Sequence, residues 1–66
     1  MKPKVGDIKL EEEIIDFLKK ANEARNVEDV RKHFSIGWGT ARAILLKMAK
    51  DGKIRMQKTT VWMNHG

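Results

Sequence analysis

Apolar positions along this 66-residue chain fall into three helical stripes followed by an alternating stretch. Leu10, Ile14, Phe17, Leu18 and Ala21 recur at the spacing of one helix face. Val27, Val30 and Phe34 give a second, shorter stripe of about two turns. Ala41, Ile44, Leu45 and Met48 give a third, on a helix expected from about Trp38 to Asp51. After Gly52 the pattern changes period. Lys53–Gln57 and Thr60–Asn64 alternate apolar and polar residues around Lys58-Thr59, which reads as a β-hairpin. The expected fold class is mainly α with a small β-hairpin.

Local signals set the boundaries. Pro3 and Gly6 mark residues 1–8 as a flexible N-terminal arm, leaving 9–64 as the folded domain, with Asp7 a candidate N-cap of the first helix. Glu11, Glu12, Glu13 and Asp16 crowd that helix's first turns, and Lys19 and Lys20 lie near its end, as the helix dipole favours. The acids are expected to form a solvated face. Asn26 followed by Asp29 suggests a capping box for the second helix. Ser35-Ile36-Gly37 reads as the turn, with Gly37 suited to a positive φ and Ile36 tucked beneath the helices. Gly52 is placed to end the third helix. In the hairpin, pairing Met56 with Val61 puts Ile54 against Met63 on the core side and Arg55 against Trp62 on the other, where a cation–π contact can form. The absence of Asn-Gly or Asp-Gly at the turn leaves a longer loop open.

Composition narrows the chemistry. A chain this short makes one domain with a marginal core, burying about 60% of its unfolded surface. With no cysteine, disulfides and thiolate metal sites are excluded. The two histidines, His33 and His65, lie far apart in sequence without other ligand types nearby, so no metal and no cofactor are expected. No constellation of nucleophile, base and metal ligand points to an enzyme. The absence of a long apolar run argues against a membrane span or a signal peptide, and the expected location is the cytoplasm, in association with the nucleoid.

Charge changes the picture most. The net charge is +5, but residues 1–29 hold six basic and eight acidic side chains, a net of −2. Residues 30–66 hold Arg31, Lys32, Arg42, Lys47, Lys50, Lys53, Arg55 and Lys58 against Asp51 alone, a net of +7. A basic half of this kind is the electrostatic footprint of nucleic-acid binding. The outer face of the third helix should carry Gly39, Thr40, Arg42, Ala43, Leu46, Lys47 and Lys50. Arg42 is the candidate base reader, because its fork suits guanine. Thr40 near the helix start suits a phosphate or a local cap, and Lys47 and Lys50 suit phosphates. Ala43 and Leu46 suit thymine methyls, a dimer contact, or incidental exposure. Trp38 can pack on Phe34 or meet a backbone sugar. Arg55 and Lys58 belong to the hairpin, and Arg31 and Lys32 flank the groove from the second helix.

From residue 26 to 64 the chain resembles the winged helix-turn-helix superfamily of bacterial and archaeal regulators. The likeness lies in Val27–Phe34, the Ser35-Ile36-Gly37 turn, Trp38–Asp51, Gly52-Lys53-Ile54 and the hairpin. The stretch Phe34-Ser35-Ile36-Gly37-Trp38 is also similar to one in the C-terminal gamma domain of FtsK-type DNA translocases; small archaeal or viral winged-helix regulators are comparable. The resemblance implies double-stranded DNA as partner, with helix 38–51 in the major groove and hairpin 53–64 on the backbone or minor groove. The other class left open is a protein-interaction module or homodimer using the acidic first helix and Ile15.

Overall fold

The computed structural model describes residues 8–21 and 23–64. In chain order it contains α1 (Ile8–Ala21), β1 (Arg25–Asn26), α2 (Val27–Phe34), α3 (Trp38–Lys50), β2 (Ile54–Gln57) and β3 (Thr60–Met63). The fold class read from periodicity holds: three helices carry most of the structure and a small antiparallel sheet completes it. Ile8 already lies in α1, so the helix begins one residue inside the expected arm. The rest of that arm, with the Asp7 cap, lies outside the described residues, as does His65.

The three stripes meet in one core. Leu10, Ile14, Leu18, Val27, Val30, Ile36, Ala41, Ile44, Leu45, Met48, Ile54 and Val61 are all buried, and Phe17 and Phe34 pack half-buried against them. Phe34 meets Phe17 edge-on at 5.8 Å between ring centroids, and Phe17 stacks on His33 at 4.3 Å. Trp38 does not join this cluster and remains 42% exposed.

Both helix ends that frame the turn and the hairpin use one device. After α2 the Ile36 amide donates to the Arg31 carbonyl and the Ser35 amide to that of Lys32. After α3 the Lys53 amide donates to Met48 and the Gly52 amide to Ala49. This pair of bonds requires a left-handed residue just past the helix. Gly52 supplies it at φ +82°, as expected, but after α2 it is Ser35, at φ 55° and ψ 45°. Gly37, expected to take the positive φ, is instead the extended N-cap of α3 at φ −67° and ψ 152°. The reversal of the chain happens at the end of α2, two residues before the glycine. The capping box forms as expected: Asp29 N–H donates to Asn26 Oδ1 at 2.9 Å and Asn26 N–H donates to Asp29 Oδ2 at 3.1 Å.

The hairpin adopts the register set by its alternation: Ile54 with Met63, Arg55 with Trp62, Met56 with Val61 and Gln57 with Thr60. Lys58 and Thr59 alone form the turn, with Lys58 at φ 57°. A third strand was not expected. β1 pairs Arg25 with Val61 and Asn26 with Thr60, which makes β3 the central strand in the order β1-β3-β2. The Val27 amide donates to the Thr59 carbonyl at 2.9 Å, so one of the unpaired donors at the start of α2 is satisfied by the hairpin turn. Together these bonds seat the hairpin against the start of α2 rather than leaving it as a free arm.

Candidate nucleic-acid interface

α3 is two-faced. Ala41, Ile44, Leu45 and Met48 are buried, while Trp38, Gly39, Arg42, Leu46 and Lys50 are exposed and Ala43 and Thr40 are half-buried. Residues four apart share a face, so Trp38, Arg42, Leu46 and Lys50 form one outward ridge with Gly39 and Ala43 beside it. The N-cap, Gly37, has no side chain to bond the first amides, and no acid lies in the first turn. The start of α3 therefore presents uncapped donors at the positive end of the helix dipole.

Ion pairing separates the basic residues into two sets. Lys20 pairs with Asp16 at 3.0 Å, Arg25 with Glu23 at 3.5 Å and Arg31 with Glu28 at 3.1 Å. Lys47 pairs with both Glu11 and Asp51, and Lys53 pairs with Glu11. From residue 30 onward Lys32, Arg42, Lys50, Arg55 and Lys58 have no such partner among the described residues, and on α1 Lys9 and Lys19 have none either. The first five are all exposed: Lys32 on α2, Arg42 and Lys50 on α3, Arg55 on β2, and Lys58 at the hairpin turn.

Lys47 thus differs from its expected place. It lies on the flank of α3 toward α1, where Glu11 Oε2 accepts from its Nζ at 3.3 Å and Asp51 Oδ2 at 3.0 Å. Glu11 was expected among the solvated acids, yet only 1% of its side chain is exposed. Its other oxygen accepts from Lys53 Nζ at 2.9 Å. Buried charge is tolerated only when paired. Here one carboxylate takes two ammonium groups whose outer sides remain wet, each with 40% side-chain exposure. The Lys53 hydrogen bond, joined by that of Lys47, holds the Glu11 carboxyl below its usual range although burial works the other way. Asp51 is lowered by the bond from Lys47, and Lys47 is raised by Asp51 first and Glu11 second. The sequence carried no local signal for this cluster, because its partners lie 36 and 42 residues apart.

Arg55 and Trp62 face each other across β2 and β3, as the register requires, but no cation–π contact joins them among the described residues. A cleft of about 500 Å³ lies elsewhere, lined mainly by Glu13, Asp16, Phe17, Arg25, His33 and Phe34, with no residue of α3 or the hairpin. Among the described residues no group of three or more His, Asp or Glu side chains is placed to hold a metal ion. No helix among them is long and apolar enough to cross a membrane.

The order of elements, the antiparallel sheet and the exposed third helix are compatible with a winged-helix shape. Comparison of the chain with protein-family models, curated proteins and solved structures finds no match in any of the three.

Proposed function

We propose that this chain is a winged-helix domain that binds double-stranded DNA without catalysing a reaction, as a transcriptional regulator or another DNA-associated module. The observation that carries this reading is the unpaired basic set. Lys32, Arg42, Lys50, Arg55 and Lys58 stay exposed and free of acids, while Glu11 and Asp51 are tied to Lys47 and, for Glu11, Lys53. α3 enters the major groove with Arg42 toward a base edge. Lys50, Arg55, Lys58 and Lys32 meet phosphates, and the hairpin serves as the wing. Nucleoid association follows from that partner.

Fluorescence anisotropy with labelled duplexes tests the reading. Arg42→Ala should reduce discrimination between a selected and a random duplex by about 1–3 kcal/mol. Lys58→Ala should weaken both alike. Failure of the wild-type chain to bind any duplex, or binding indifferent to salt, would refute the proposal.

A second reading places a protein partner on α1, where Ile8 is 64% exposed and shares a helix face with Glu12 and half-buried Ile15. Amide chemical shifts distinguish the two. Duplex should perturb residues 38–58, whereas a protein partner should perturb α1.

A further inference from the structure

A helix face that meets phosphates alone needs cations and donors, and the outer ridge of α3 contains more than that. Leu46 is 41% exposed at its centre, opposite the buried Ala41, Ile44, Leu45 and Met48. Arg42 stands one turn before it and Lys50 one turn after, with Ala43 alongside. The fold gives Leu46 no role in the core, and the two cations on either side carry no ion pair.

The charge pattern decides what can cover this apolar centre. A second copy docking through the same ridge would bring Arg42 and Lys50 of both chains together. The acids that reach α3 among the described residues, Asp51 and Glu11, are already bonded to Lys47 at 3.0 and 3.3 Å on its flank. A duplex major groove fits instead. Its walls are anionic, and the apolar group on its floor is the C5 methyl of thymine.

Resting on the duplex-binding reading, we propose that Leu46 and Ala43 contact thymine methyl groups next to the base read by Arg42, so that the preferred site places thymine beside guanine. The same contact would separate DNA from RNA, since uracil lacks the methyl and the RNA major groove is too narrow for side chains.

Replacement of thymidine by deoxyuridine removes that methyl and leaves the protein unaltered. Random duplexes enriched by the wild-type chain are resynthesised with deoxyuridine at each thymidine in turn, and affinity is measured by anisotropy. Binding should weaken about fourfold at each contacted thymine. Leu46→Ala, at an exposed helical position that tolerates alanine, should shrink the deoxyuridine effect at the thymine that Leu46 contacts and leave that at the Ala43 thymine unchanged. Equal affinity of the wild-type chain for both duplexes would overturn the inference while leaving duplex binding intact. So would a wild-type dimer in sedimentation that Leu46→Ala dissociates, with no effect of deoxyuridine. Absence of binding to any duplex would instead remove the underlying reading.

Discussion

Glu11 shows how one residue can tie distant elements together. Its carboxylate lies between Lys47 of α3 and Lys53, the residue before β2, so a single side chain of α1 joins the outer helix to the base of the hairpin. Because its folded pKa lies below a glutamate's usual value of 4.5, the folded state favours the charged form. That contribution is complete above the unfolded value and is lost as pH falls through the folded one. Lys47 acts in the opposite direction: its raised pKa contributes stability that is lost only as pH rises through a folded value above 10.5. Urea unfolding should therefore show a plateau between about pH 5 and 10, with an acid-side decline. Glu11→Gln should cost about 1–2 kcal/mol at pH 7 and flatten that decline, since the lysine ends are partly wet and screen the loss. An acid limb of the same steepness in the variant would assign the decline to other carboxylates.

At the scale of elements, what periodicity and capping determine was legible, and what depends on long-range pairing was not. The buried stripes and the Asn26–Asp29 box are local, and the hairpin register follows from alternation. β1 is two residues long and has no period to detect; its existence depends on β3, some 35 residues later. The left-handed position after α2 falls to Ser35 rather than Gly37 because the helix ends at Phe34, which leaves Gly37 as the extended N-cap of α3. The hairpin turn shows the same tension. Lys58 stands at φ 57° where a two-residue turn favours glycine. Lys58→Gly should relieve that strain and stabilise the domain by about 0.5–1 kcal/mol, raising the urea midpoint without altering the m value. The same substitution should weaken duplex binding as Lys58→Ala does. A destabilised glycine variant would show that the lysine side chain contributes more to the hairpin than its backbone costs.

For the whole molecule, the raw charge of the basic half overstates what it can offer a polyanion. Of the eight basic residues between 30 and 66, Arg31, Lys47 and Lys53 are held by Glu28, Glu11 and Asp51, and five remain unpaired. Arg42 points the reading toward a base, which leaves Lys32, Lys50, Arg55 and Lys58 for phosphates. Each phosphate neutralised contributes about −0.9 to the slope of log affinity against log salt, so four give a slope near −3.6, whereas counting every basic residue of that half would approach −7. Glu11→Gln separates these cases without touching the outer ridge. Removing the carboxylate frees Lys53, while Lys47 keeps Asp51 at 3.0 Å, and if the freed ammonium group reaches the backbone the slope should steepen by about 1. Titrations of wild type and variant across a salt series, with circular dichroism confirming that both are folded, make the comparison. A wild-type slope of about −5.4, that of six phosphates, would mean that the duplex breaks the Glu11 cluster on binding and takes up Lys47 and Lys53. An unchanged slope in the variant would place Lys53, at the base of the hairpin beside α1, beyond the reach of the phosphates.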